Sequence, residues 1–146
     1  MKAPRYAKKN FEKILPFLAA ADGNSGHVRL ESGGYMPLVI ENLEYTDADG
    51  NPVYSMTHYG ELNGDAMADP DMTFAVDFKN GTVIPHTFQN DYMGAYDEVF
   101  IEDENGRPTK YRPGLLRGLD DFLRTWLNNI EHQGFDPVPK ESASEN

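Results

Sequence analysis

His58, His86 and Asp91 are the residues from which this chain could build an enzyme. Two imidazoles and a carboxylate supply a general base, or three metal ligands, if a sheet brings them together. Spacing alone does not impose that convergence: the four histidines, His27, His58, His86 and His132, never fall at i, i+3 or i, i+4, so a helical zinc motif is absent. Asp47-Ala48-Asp49-Gly50-Asn51 opens like a calcium loop. The sixth and twelfth positions, which need glycine and a bidentate glutamate, are Pro52 and His58, and a hairpin turn is the expectation instead. Asp65, Asp69 and Asp71 put three carboxylates in an expected loop, where oxygen ligands suit a hard cation but turn formation and strand capping serve equally. Asp97 and Glu98 are adjacent, so on a strand they point to opposite faces and form no acid/base dyad. Gly23-Asn24-Ser25-Gly26 lacks the lysine of a phosphate-binding loop, and no Gly-x-Ser-x-Gly elbow occurs. The absence of cysteine removes disulfides, thiolate metal sites and cysteine nucleophiles together. No cofactor and no metal is assigned from these residues.

Charge points elsewhere. The chain has 146 residues and a formal net charge of -11, a sign that repels phosphate backbones and anionic lipid headgroups and disfavours direct nucleic-acid or membrane binding. The charge is unevenly placed: residues 41–106 hold 15 acidic groups against Lys79, a net -14, and the remaining 80 residues carry a net +3. Solvated strand edges and turns account for such a band in the plain reading. In the functional reading it is an acidic face that docks on a basic surface, because charge complementarity steers association. Asp65, Asp69, Asp71, Asp91, Tyr92, Tyr96, Asp97 and Glu98 are the candidate binding residues. Tyrosines with an acidic rim make rigid anchors for a cationic partner, and Tyr92, Tyr96 and Phe100 share a face under either a helical or a strand period.

The elements that must position these residues follow from periodicity. Phe11, Ile14, Leu15 and Leu18 form one face of a helix over about 8–21, in which Pro16 predicts a kink or a start nearer Leu15. Residues 27–100 consist of short β-branched and aromatic runs divided by Gly33-Gly34, Asp49-Gly50 and Asn80-Gly81, the texture of an antiparallel meander. Strands are expected over 27–31, 35–45 broken near Pro37, 53–59, 72–78 and 82 onward, with a last hairpin running 96–102, turning at 103–106 and returning over 109–112. Leu115, Leu119, Phe122, Leu123, Trp126, Leu127 and Ile130 form the apolar stripe of a C-terminal helix, with Pro113 in its first turn and Gly134 at its end. The fold class is therefore α+β: a meander of about five to seven short strands covered on one face by an N-terminal and a C-terminal amphipathic helix. Residues 1–135 read as a single domain and 136–146 as a disordered polar tail. No signal segment and no apolar run of membrane-spanning length is visible, which predicts a cytoplasmic protein.

Asp69-Pro70-Asp71-Met72-Thr73-Phe74 through Val76-Asp77, then Pro85 and Gln89-Asn90-Asp91-Tyr92-Met93-Gly94 through Glu98-Val99-Phe100, resemble a family of small uncharacterised domains encoded on bacterial plasmids, conjugative elements and phages. Gly34-Tyr35-Met36 with Leu38-Val39 is similar to that family's earlier strand, and the likeness covers about residues 27–132. The family carries no activity to transfer. It implies the company of mobile-element accessory genes, many of which interfere with host defence by occupying nucleic-acid-binding surfaces. Together these readings predict a non-enzymatic accessory protein that binds a basic protein surface, in its most specific form an anti-defence inhibitor that mimics nucleic acid on a host nucleic-acid-binding protein. The alternative is a metal-dependent or acid/base enzyme using His58, His86 and Asp91.

Overall fold

A computed structural model describes residues 1–138. The chain forms α1 (Ala7–Asp22), β1 (His27–Leu30), β2 (Leu38–Thr46), β3 (Pro52–Leu62), β4 (Asp65–Asp77), β5 (Thr82–Asn90), β6 (Ala95–Glu98), β7 (Phe100–Glu102), β8 (Pro108–Tyr111) and α2 (Pro113–His132). β1 to β6 form one antiparallel sheet in sequence order, and β7 and β8 form a separate two-stranded sheet. The α+β class and the two covering helices are as the sequence predicts. The expected last hairpin is divided: β6 pairs with β5, Val99 marks the break, and only β7 returns through β8. Val99 is fully buried, its N–H donates to the His86 carbonyl, and its own carbonyl accepts from the Arg112 N–H, so this one residue ties both sheets together. The expected tail lies outside the described residues beyond Val138.

Cross-strand register separates the faces of the sheet. Leu38, Ile40, Tyr54, Met56, Met72, Phe74, Val76 and Val83 point to the helices and are buried in the core. α1 meets them with Ile14, Phe17, Leu18 and Ala21, which rotates the expected stripe: Leu15 is exposed and Phe17 buried. Pro16 neither starts nor ends the helix. Its missing donor costs about 3 kcal/mol. Each buried neighbour contributes roughly 1.5–3 kcal/mol, enough to hold the turn together by packing. α2 turns likewise: Leu116 is buried, Leu115 is partly exposed, Phe122 lies at the margin, and the charged Asp120 sits inside the stripe at 1% exposure. Asp120 is admitted because its carboxylate accepts from the Tyr6 N–H at 2.9 Å and from the Asn10 amide at 3.4 Å, locking the two helices together.

The stretch 65–71, expected as a loop, is the first half of β4. It pairs with β3 from Leu62↔Asp65 to Tyr59↔Ala68, skips a register at the Asp69-Pro70 bulge, and resumes at Thr57↔Asp71. Two hairpin turns share one device. Asp47 accepts the N–H groups of Asp49 and Asn51 at 2.9 Å each, and Asp103 accepts those of Asn105 and Arg107 at 2.8 and 2.9 Å. Gly50 and Gly106 take the positive φ (82° and 76°) that each turn then needs. Among the described residues no helix is long and apolar enough to cross a membrane.

Candidate functional site: the open face of the sheet

Opposite the helices the register lays out two polar rows. One runs His27, Glu41, Ser55, Thr73, Thr87, Glu98 and the next runs Arg29, Val39, Thr57, Asp71, Gln89, Tyr96, each across β1 to β6. The middle of this face is recessed: Ser55 is 8% exposed and Thr57 2%, whereas Tyr96 is 56% exposed and Glu41 and Glu98 are exposed at the margins. The Thr73 and Thr87 hydroxyls bond each other at 2.5 Å. A hydroxyl floor satisfies itself locally and still offers donors and acceptors to a ligand.

Asp71 is the one ionisable group in that floor. Its Oδ1 atom is buried and has no hydrogen-bond partner. Burial pushes its carboxyl above the usual carboxylate range, the Thr57 hydroxyl bond pulls it back, and the charges of Asp91 and Glu41 push it further up. Tyr59 and Tyr96 rise from the same face within reach of the Asp71 charge, each phenol raised first by burial, with that charge among the further causes. Toward the other end of the face the floor opens into a cleft of about 1060 Å³ between the β2–β3 turn and the β7–β8 hairpin. The charged side chains lining the cleft are Asp47, Asp49, Asp77, Glu98 and Glu102 against Arg107, with Met1 adding the α-amino group. His86 also lines it, edge-on to Phe100 at 4.8 Å, and burial holds its imidazole below the usual range, toward the neutral form.

The structure divides the candidate residues. Asp71, Tyr96 and Glu98 share the open face. Asp97 points to the opposite face, as adjacency requires. Asp65 is exposed at the tip of the β3–β4 hairpin, and Tyr92 lies over Gly60 of that hairpin, where a Cβ would come within 2.3 Å of the Tyr92 hydroxyl. Tyr92, Tyr96 and Phe100 therefore form no common stripe. Asp69 accepts from the Asn90 amide at 2.6 Å, and Asp91 accepts from Gln89 at 2.7 Å and from the Ala68 N–H at 2.8 Å, which fixes the β5–β6 turn against β4. These two carboxylates are architectural.

The His58, His86 and Asp91 constellation does not assemble. His58 faces the helices, its ring 5.5 Å from those of both Trp126 and Phe135, with Nδ1 3.1 Å from the Met36 carbonyl oxygen, and burial holds it below the usual range. His86 is on the open face, and Asp91 is engaged in its turn. Among the described residues no group of three histidine or carboxylate side chains is placed to hold a metal ion.

Sequence reading missed Glu41, Thr57, Tyr59, Thr73 and Thr87. Their signal is the alternation Val53-Ser55-Thr57-Tyr59 against Tyr54-Met56-His58, visible along β3, but assembly across strands requires the register. Searches of the curated proteins and of the solved structures gave no match. A family model described as a domain of unknown function (DUF6908) matches residues 9–136, from within α1 to beyond the end of α2, and the chain belongs to that family.

Proposed function

We propose that this protein acts by binding another protein, that the open face of the sheet is the binding surface, and that the partner presents a basic surface to it. The observation carrying this reading is the asymmetry of the sheet. One face is filled by two helices, and the other is a recessed hydroxyl floor ringed by carboxylates and exposed tyrosines. Tyrosines supply rigid contact area at low entropic cost, and the acidic walls steer a cationic partner. Several acids of the -14 band, Asp47, Asp77 and Asp103 at turns with Asp69 in β4 and Asp91 beside it, also hold backbone or neighbouring side chains, so part of the charge serves the fold.

The finer reading, an accessory protein of a mobile element that occupies a nucleic-acid-binding host protein, draws on the resemblance in the sequence and on the sign of the charge. Strict mimicry of a phosphate backbone is the less favoured form. Glu41 and Glu98 are the carboxylates of one row and stand four strand spacings apart, about 19 Å, with uncharged Ser55, Thr73 and Thr87 between them, whereas duplex DNA carries a charge every ~3.4 Å per strand. An oligolysine peptide titrated into the isotopically labelled protein tests the reading. Shifts concentrated at Ser55, Thr73, Thr87 and Tyr96 and weakening with salt are expected. Shifts concentrated on the outer surface of α1 or α2 would refute it.

A further inference from the structure

We infer that the Asp71 position is a seat for a single arginine side chain of the partner, its guanidinium held by the Asp71 carboxylate between the Tyr59 and Tyr96 rings. This inference rests on the open face being the binding surface. Three observations converge on one spot. Asp71 has a buried carboxylate oxygen with no partner in the chain, so the group carries the cost of an unmade bond, which a rotation of the side chain toward an incoming donor would relieve. Tyr96 shares the row of Asp71, and Tyr59 is two residues along β3 from Thr57, the cross-strand neighbour of Asp71, so both phenols rise from the same face; each is more than a third exposed. Charge complementarity is unopposed there: the titratable groups facing Asp71 are Glu41, Tyr59, Asp91 and Tyr96, and none is a cation.

A planar guanidinium suits this place better than an ammonium. It stacks on aromatic faces while presenting donors in its plane to a carboxylate, which a point charge on a flexible stem does less well. The seat adjoins the cleft through Gln89 and Thr87, so the rest of a basic segment would continue from Asp71 toward Glu98 and the β2–β3 turn.

N-acetyl-argininamide is the probe, titrated by nuclear magnetic resonance into the wild-type chain, Asp71→Asn and Tyr96→Leu, with N-acetyl-lysinamide in parallel and circular dichroism checking each fold. The expected result is saturable shifts at Thr57, Tyr59, Gln89 and Tyr96, tighter for arginine than for lysine. Loss of the carboxylate should weaken them about tenfold or more. Tyr96→Leu keeps the charge of the face and should weaken arginine binding more than lysine binding. Equal shifts in wild type and Asp71→Asn, or none, would overturn the seat. Oligolysine binding separates the two failures: if it still maps to Ser55, Thr73 and Thr87, the docking face stands without the seat, and if it vanishes too, both readings fall.

Discussion

Individual side chains here are set by burial more than by charge pairing. Asp71 and Asp120 are both carboxyls pushed upward by burial, yet they have opposite roles. Asp120 is bonded on both sides by α1 and its approach; Asp120→Ala leaves the Tyr6 N–H without an acceptor, whereas the Asn10 amide keeps its bond to the Asp120 backbone carbonyl at 3.3 Å. At about 1–3 kcal/mol for one unsatisfied buried group, a loss within that range in urea unfolding is expected. Asp71 has an oxygen without a partner, and its folded-state value lies above the unfolded one. The stability linked to this group is full below about pH 3.9 and is lost as pH rises through the folded value. Asp71→Asn should therefore raise the urea midpoint at pH 7 and leave it nearly unchanged at pH 3. His58 has the reverse sign: burial lowers its folded value, so the stability it contributes is present above about pH 6.5 and is lost as pH falls through the folded value. Trp126 is the single tryptophan and packs on that ring, so its fluorescence should titrate with His58 and not with His86. A fluorescence titration unchanged in His58→Phe would contradict this assignment.

At the scale of elements, packing decides which parts of a pattern are used. α2 buries Leu123 completely and leaves Phe122 37% exposed, although both belong to the stripe read from sequence. Leu123→Ala should cost about 2–5 kcal/mol, and Phe122→Ala clearly less, a ranking read directly from denaturant midpoints. The β3–β4 hairpin is pinned by Tyr92 and Met36 against Gly60. Gly60→Ala displaces the far ends of two flexible side chains, so the fold should persist at a cost of about 1 kcal/mol or more, with Tyr92 becoming more accessible to chemical modification. The helices, the antiparallel meander and its hairpin turns are legible in sequence because periodicity and Asx-type turn chemistry are local. The two helical stripes differ from the sequence pattern only at their edges: Ile14, Leu18, Leu119, Leu123, Trp126, Leu127 and Ile130 are buried as read, whereas Leu15, Leu115 and Phe122 yield to Phe17 and Leu116, because the final rotation answers to the sheet and to buried partners such as Asn10 and Asp120. β4 was cut short because Asp65-Ala66-Met67-Ala68-Asp69-Pro70-Asp71 reads as turn-forming, and its strand pairing is supplied by the facing residues of β3. The candidate site was half legible: Asp71, Tyr96 and Glu98 stand out by type, whereas Glu41, Thr57 and Tyr59 join them only through cross-strand register.

For the molecule as a whole, the acids of residues 41–106 include those that only serve the fold, such as Asp69, Asp91 and Asp103, and those that rim the recessed face, with Asp47 and Asp77 doing both. Only the second group should matter for a partner, and association through it should slow and weaken as salt rises, since exposed charges are screened over about 8–10 Å at ordinary ionic strength. The central claim, that the open face and not acidity in general does the binding, is tested most directly by measuring oligolysine affinity in two double variants of equal charge. Glu41→Lys with Glu98→Lys changes the rims of the hydroxyl floor. Asp65→Lys with Asp97→Lys changes the hairpin tip and the opposite face by the same four units of charge. The account predicts that the first pair abolishes saturable binding and the second leaves it close to wild type. Equal losses in the two variants would show that net charge alone binds the peptide and would contradict a dedicated face.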